Sequence, residues 1–127
     1  MKWEELDGFT KAYIEAALWS STDDDENPMD SNYDQFDLAP ETIETMAKDC
    51  ARFQEECAHL ITGCARSGHG YSVDEQAGHD FWLTRNGHGA GFWDGDWPEN
   101  GDLLTQASKS YGECDLYIGD DGLIYCM

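Results

Sequence analysis

The chain has 127 residues and a mass of 14.3 kDa, which suits one domain over 1–127 and is too short for two of ordinary size. Its 40% hydrophobic and 13% aromatic residues argue against a wholly disordered protein. Its 27 acidic residues against seven Lys and Arg give a formal net charge of -20, which argues against direct binding to free nucleic acid or to an anionic membrane, because both require a basic surface.

Helical periodicity marks the first segment, about 3–19, where apolar residues recur every three or four positions around an interruption at Gly8. The next segment, at about 20–39, has no helical or strand periodicity and is rich in acids and turn-forming residues. We expect an acidic loop here. Its aromatic residues, Tyr33 and Phe36, predict that its second half packs onto the body of the protein.

The longest helical stripe begins at Pro40, since proline is favoured at the first helical position. Apolar residues continue at helical spacing as far as Cys64, and the glycines that follow predict a helix end near Arg66. Acidic residues occupy much of the other side and are offset only by Lys48 and Arg52. This pattern predicts an acidic ridge on the exposed side of the helix.

The segment 81–93 predicts a β-hairpin. Its centre, Asn86-Gly87, is typical of a type I′ turn, because that turn requires positive φ at both central residues. The expected register places Phe81 opposite Phe92. The glycines of the second run are interpreted as packing devices, because they lack the spacing and the strand-to-helix context of a nucleotide fingerprint.

A short helix over 102–111 and a second hairpin over 114–126 complete the predicted elements. The hairpin is indicated by alternating side chains on either side of the turn at 119–122. The order of elements predicts an α+β domain, in which a small antiparallel sheet of two hairpins is packed against two longer N-terminal helices and one short helix.

Three of the five cysteines, Cys50, Cys57 and Cys64, recur every seven residues in the predicted helix. Two helical turns separate neighbours by roughly 10 Å, which is too far for a disulfide. The sequence contains no Cys-x-x-Cys pair, so it gives no indication of a zinc site. We therefore expect reduced thiols in a cytoplasmic protein. This location also agrees with the lack of an apolar run long enough to span a membrane and of an N-terminal secretory signal.

Two stretches of the C-terminal half resemble a family of small acidic uncharacterised proteins of phage and plasmid genomes: FWLTRNGHGAGFWD at 81–94 and DLYIGDDG at 115–122. This resemblance implies a genomic setting and no particular activity. In charge and size, though not in motif, the chain is also similar to phage DNA mimics that block restriction enzymes, uracil-DNA glycosylase or CRISPR effectors. That similarity implies competition with nucleic acid for a host protein.

The acidic surface supports the same hypothesis by physical argument. Duplex DNA carries about one negative charge per 1.7 Å of its axis, and a dense carboxylate surface can present a comparable field to a site that binds phosphates. The expected partner is a basic host nucleic-acid-binding protein. The candidate partner-binding residues are acids of the loop and the following helix, with one tryptophan as an apolar anchor: Asp23, Asp24, Asp25, Glu26, Asp30, Asp34, Asp37, Glu41, Glu44, Glu55, Glu56 and Trp97.

Catalysis is the weaker alternative. His79, Asp80, His88 and Asp94 offer ligands for a metal or groups for acid/base work. The expected hairpin register, however, places the two histidines at opposite ends. We therefore expect no enzymatic activity, no metal and no cofactor.

A calcium loop also fits the sequence poorly. Asp23, Asp25 and Asn27 match the first odd positions of an EF-hand loop, but Pro28 replaces the required glycine and Asp34 the final glutamate.

Two functions therefore remain open. One is a phage-type DNA mimic that inhibits a defence or repair protein. The other is a small acidic protein-binding or regulatory module whose charge reflects solubility or salt adaptation. Either protein can form a homodimer through a sheet edge or a helix face.

Overall fold

A computed structural model describes residues 3–23, 25–61, 72–87, 92, 97 and 100–126. In these residues four helices and a two-stranded antiparallel sheet form an α+β structure, so the predicted fold class is confirmed. The elements in chain order are α1 (Gly8–Ser20), α2 (Pro40–Cys57), α3 (Val73–Arg85), α4 (Gly101–Lys109), β1 (Leu116–Ile118) and β2 (Ile124–Cys126). None of the described helices is long and apolar enough to cross a membrane.

The first helix begins later than its sequence pattern predicts. A separate 3-10 turn covers Trp3–Glu5, and Asp7 then caps α1 by accepting a hydrogen bond from the Thr10 amide at 2.9 Å. Gly8, which interrupts the apolar pattern, is thus the first residue of the helix. An aspartate at the N-cap satisfies an amide that would otherwise lack a partner.

The hairpin predicted at 81–93 is wrong, because its first half belongs to α3. This helix begins with a reciprocal capping box, in which Ser72 accepts from the Glu75 amide and Glu75 accepts from the Ser72 amide. It ends at Asn86-Gly87, where Gly87 adopts a φ of 70°. The dipeptide therefore terminates a helix rather than reversing a strand. Most of the second predicted strand, 88–91 and 93, lies outside the described residues.

Helices α1 and α3 approach each other closely at Gly78. At Gly78 a Cβ atom would overlap the backbone carbonyl of Phe9. Small residues of both helices are fully buried, among them Ala16 of α1 and Ala77 of α3. The backbones of α1 and α3 can approach this closely only because position 78 has no side chain.

Aromatic side chains fill the space between these helices and α2. Phe53 stacks on Phe81 with ring centroids 4.1 Å apart, and Phe9 lies 5.9 Å from Phe53. Phe92 and Tyr111 contact the same group. Aromatic side chains bury large apolar areas, so these rings contribute much of the hydrophobic core.

The start of α2 at Pro40 is confirmed, but the helix ends at Cys57 instead of near Arg66. Turns follow at 58–60, and 62–66 lies outside the described residues. The buried stripe of α2 includes Met46 and Phe53, as its apolar spacing predicts.

A buried arginine joins the helices to the chain that follows α4. Arg85 Nη1 donates to Tyr13 Oη at 2.9 Å and to Asp49 Oδ2 at 3.0 Å. Its Nε and Nη2 donate to the backbone carbonyls of Gly112 and Tyr111 at 2.9 and 3.1 Å. Burial disfavours the charge, but Tyr13 and Asp49 outweigh that effect and hold the pKa of Arg85 above its ordinary value. The guanidinium thus fixes α1, α2, α3 and the segment before β1 to one another.

The short helix and the C-terminal hairpin are confirmed, as α4 and as β1 with β2. The strands pair with Tyr117 opposite Tyr125, and Leu116 and Ile124 are buried. The isolated residue Leu38 pairs with Ile124 in parallel, which joins the hairpin to the chain just before α2.

The expectation that all cysteines are reduced is wrong for one pair. Cys114 and Cys126 form a disulfide across the hairpin, with Cα atoms 6.0 Å apart. The helical spacing considered in the sequence did not cover these two residues, which the turn brings together. Cys50 and Cys57 are free and buried, as expected, and Cys64 lies outside the described residues.

Substitution at Gly78 tests the contact between α1 and α3. We expect Gly78→Ala to destabilise the protein by about 3 kcal/mol or more. The new Cβ would overlap the Phe9 backbone, which cannot move away as a flexible side chain could. Gly8→Ala is the matched control, since its Cβ meets only Glu75 Cγ at 3.4 Å, and we expect it to change stability by less than about 1 kcal/mol. Urea unfolding followed by circular dichroism measures both; equal effects would contradict the close contact.

Reduction tests the disulfide. It closes a loop with a sequence separation of 12, so its loss should lower the free energy of unfolding by about 3 kcal/mol. The measurement is the urea midpoint with and without a dithiol reductant. The double variant Cys114→Ala/Cys126→Ala should have the midpoint of the reduced wild type in both conditions. A wild-type midpoint that does not respond to reductant would show that the bond is absent.

Candidate protein-binding surface

The segment between α1 and α2 is a folded loop. Thr22 and Pro28 form an antiparallel bridge, and the Met29 amide donates to the Ser21 carbonyl at 2.8 Å. Met29 itself is fully buried. The tip of the loop turns through Glu26, which has a φ of 65°.

Asp23 holds the tip in shape. Its Oδ1 accepts from the amides of Asp25 and Asn27 at 2.9 and 3.1 Å, and its Oδ2 accepts from Asn32 Nδ2 at 3.3 Å. Desolvation raises the pKa of Asp23, but the hydrogen bonds from Asn27, Asn32 and Asp25 together outweigh it and lower the pKa. This predicted contact residue therefore has a structural role.

Asp34 and Asp37 organise the second half of the loop. They form a capping box around a 3-10 turn: Asp34 accepts from the Phe36 amide, and Asp37 accepts from the Asp34 amide, both at 2.9 Å. Tyr33 packs against the core as expected, whereas Phe36 is 64% exposed, contrary to the expectation.

The acidic ridge of α2 is divided by its own basic residues. Lys48 and Arg52 are both exposed near the middle of the helix. Arg52 pairs with Glu56 at 3.2 Å, and Glu56 also accepts from Tyr111 Oη at 2.8 Å. The ridge is therefore most acidic in its first turns, near Glu41.

The predicted contact residues now separate by role. Asp23, Asp34, Asp37 and Glu56 are engaged in the contacts above. Six others have exposed side chains that make no hydrogen bond or ion pair with the described residues: Asp25, Glu26, Asp30, Glu41, Glu44 and Glu55. Asp24 lies outside the described residues. Asp25 and Glu26 lie on backbone held by Asp23, Asp30 follows the buried Met29, and the other three carboxylates lie on α2.

Trp97 is not the exposed anchor that the sequence suggested. Its side chain is 3% exposed, and its Nε1 donates to Asp80 Oδ2 at 2.7 Å. The ring packs edge-on against Phe92. A carboxylate buried on α3 needs such donors, and satisfying it draws Trp97 inward.

The same contacts bear on the catalytic alternative. Asp80 is 1% exposed and accepts from Gln76 Nε2 at 3.0 Å as well as from Trp97. His79 Nδ1 lies 3.1 Å from Asp80 Oδ1. His88 and Asp94 lie outside the described residues. Within the described part of the chain no group of three or more His, Cys, Asp or Glu side chains could hold a metal ion.

A surface on the C-terminal hairpin was not predicted from the sequence. Tyr117 and Tyr125 stack across the two strands, with Asp120 and Asp121 at the turn. Glu41, at the start of α2, lines a hollow beside the same two tyrosines. The predicted turn at 119–122 would place Tyr117 opposite Ile124, whereas the observed register pairs Tyr117 with Tyr125. The hairpin prediction therefore brought the two tyrosines near each other without pairing them.

The chain matches no protein-family model, no curated protein and no solved structure. The resemblance to phage and plasmid proteins at 81–94 and 115–122 therefore stays a prediction.

The hydrogen bonds accepted by Asp23 can be tested by substitution, and they predict a dependence of stability on pH. Because the folded-state pKa is lowered from its ordinary value of 3.8, the stabilisation by the carboxylate is present above about pH 4 and is lost as the pH falls through the folded-state pKa. We expect Asp23→Ala to remove, at pH 7, the protection of the Asp25 and Asn27 amides from hydrogen exchange. Asp30→Ala removes the same charge and should leave that protection intact. A similar loss of protection in both variants would show that Asp23 does not hold these amides.

Proposed function

We propose that the protein is a non-enzymatic inhibitor that occupies the nucleic-acid-binding site of a basic host protein, in the manner of phage DNA mimics. The observation that carries the proposal is the folded acidic loop, whose structural carboxylates hold exposed ones in place. The targets of this type are defence or repair proteins, as for anti-CRISPR, anti-restriction and uracil-DNA glycosylase inhibitors. The proposed place of action is the cytoplasm of the host cell, where the Cys114–Cys126 disulfide would have to persist against reduction by the glutathione pool.

The balance of charge supports this proposal. The formal net charge is -20, and this figure already includes two arginines that are paired with acids. Arg85 is buried against Asp49, and Arg52 is paired with Glu56. A field of this sign accelerates encounter with a basic protein and repels nucleic acid.

The order of the loop supports it further. A flexible acidic tail loses conformational entropy when it binds, whereas a loop already held in its bound shape loses much less. Asp25, Glu26 and Asp30 lie on backbone fixed by Asp23 and by the buried Met29. Fixed carboxylates of this kind can match the phosphates of a bound nucleic acid in position as well as in charge.

The experiment is capture of host-lysate proteins on the immobilised chain, followed by competition. An unrelated protein of equal negative charge controls for general polyanion binding. We expect one nucleic-acid-binding protein to be retained beyond this control, to elute as salt screens the charges, and to be released by duplex DNA. DNA-resistant retention would favour the acidic binding module, and a profile equal to the control would favour solubility or salt adaptation.

Charge-neutralising variants locate the contact. We expect Asp25→Asn/Glu26→Gln/Asp30→Asn to weaken binding to the retained protein about tenfold, since each exposed charge pair contributes about 0.5 kcal/mol. Glu4→Gln/Glu15→Gln/Glu113→Gln removes the same charge from exposed positions elsewhere and should change the dissociation constant less than threefold. Equal weakening in both would refute the loop as the contact. Calorimetry or biolayer interferometry provides the measurement.

A further inference from the structure

We propose that the outer face of the C-terminal hairpin binds an arginine side chain of the partner protein. The residues of this face are Tyr117, Tyr125, Asp120, Asp121 and, from α2, Glu41. The inference deepens the proposed function and rests on it for the basic character of the partner. The site itself follows from the geometry of the hairpin.

Two aromatic rings form the centre of this face. Tyr117 and Tyr125 are direct cross-strand partners, their ring centroids are 5.7 Å apart, and their planes differ by 25°. Tyr117 is 41% exposed. The residues before and after each tyrosine point to the other side of the hairpin, where Leu116 and Ile124 are buried. The pair therefore presents ring surface outward while the strands remain anchored.

The turn holds Tyr125 in a defined position. Tyr125 Oη donates to Asp121 Oδ2 at 2.6 Å, and Asp121 Oδ1 accepts from the Leu123 amide at 3.0 Å. The hydrogen bond from Tyr125 lowers the pKa of Asp121 and raises that of Tyr125 to about 12. A Cβ at Gly119 would lie 2.5 Å from the ring of Tyr125. The glycine thus leaves the space in which this ring lies.

Open hollows flank the rings on both sides. One, of about 590 Å³, lies toward the turn and includes Asp120 and Asp121. The other, of about 170 Å³, lies toward the start of α2 and includes Glu41. Both are lined by Tyr117 and Tyr125, and no Lys or Arg lines either of them.

This combination selects a planar cation. Tyrosine faces attract cations through the ring quadrupole, and a guanidinium can stack on a ring while its N–H groups reach carboxylates. An ammonium lacks the planar surface, and an uncharged ring gains nothing from the carboxylates. Among protein side chains, arginine therefore fits best. A partner that binds nucleic acid is expected to expose arginines.

The test is an NMR titration of the full chain with acetyl-Gly-Arg-Gly-amide, using the citrulline peptide as a neutral control of the same shape. We expect chemical-shift changes at the Tyr117 and Tyr125 rings and at the Gly119 amide. The citrulline peptide should bind at least fivefold more weakly, and the lysine peptide about two- to fivefold more weakly. The proposal would be overturned if the arginine peptide caused no chemical-shift changes at the hairpin, or if the citrulline peptide bound there equally tightly.

Variants distinguish the contribution of the tyrosine rings to peptide binding from that of the overall negative charge. We expect Tyr117→Leu to weaken binding of the arginine peptide about two- to fivefold, the range of an exposed cation–π contact. Phe36→Leu is the matched control, since it removes an exposed aromatic ring beside Asp34 and Asp37, and it should have no effect. Tyr125→Phe keeps the ring and should retain most of the affinity. Equal effects of Tyr117→Leu and Phe36→Leu would overturn the site.

The two proposals fail separately. If the loop variants weaken binding to the captured partner but the peptide does not shift the hairpin signals, the arginine site is wrong and the proposed function stands. If the peptide binds the hairpin but capture matches the equal-charge control, the proposed function is wrong and the hairpin remains a guanidinium site.

Discussion

The buried guanidinium of Arg85 is the constraint on which the arrangement of the described elements depends. Removing a cation from water is costly unless its donors are satisfied, and Arg85 meets this demand with acceptors from three separate parts of the chain: Tyr13 on α1, Asp49 on α2, and the carbonyls that precede β1. Loss of any one part would leave a buried donor unpaired. The position of α2 relative to the hairpin is therefore specified by hydrogen-bond geometry as well as by apolar packing.

This constraint extends to the molecular surface. The Ile124 carbonyl accepts from the Ala39 amide at 3.0 Å and from Thr42 Oγ1 at 2.9 Å, so the hairpin is fixed to the start of α2. The end of the acidic loop, the first turns of α2 and the tyrosine pair thus occupy one continuous region. Hydrogen bonds thus join the chain at the end of the acidic loop to the hairpin that carries the proposed arginine site.

Some elements could be predicted from sequence because their apolar residues mark a single face. The stripe of α2 and the alternation of the C-terminal hairpin are of this kind. Helix α3 differs, because every described side chain from Asp80 to Arg85 is buried. Because the C-terminal half of α3 is buried on all sides, its apolar run at 81–83 resembles that of a buried strand. Ser72 and Glu75, spaced as a capping box, were the overlooked signal.

The acidic residues were harder to separate by role. Asp23, Asp34 and Asp37 look like their exposed neighbours in sequence, and only the backbone conformation shows which of them accept amide hydrogen bonds. Trp97 was misassigned for a related reason: its partner, the carboxylate of Asp80, comes from a distant helix. Long-range pairing of this kind leaves no local pattern. The disulfide between Cys114 and Cys126, by contrast, was accessible in principle once the hairpin around 119–122 was predicted.

The left-handed conformation of Glu26 has a consequence for how this surface changes over evolution. A glutamate at a φ of 65° is disfavoured relative to glycine by about 1 kcal/mol, so folding stability alone would replace it. Glycine at this position would stabilise the loop conformation and remove a carboxylate from its tip. Selection for thermal stability and selection for negative charge therefore pull this position in opposite directions. In a laboratory population selected only for stability, glycine at 26 should become common, whereas retention of an acid there would mark selection on the surface itself.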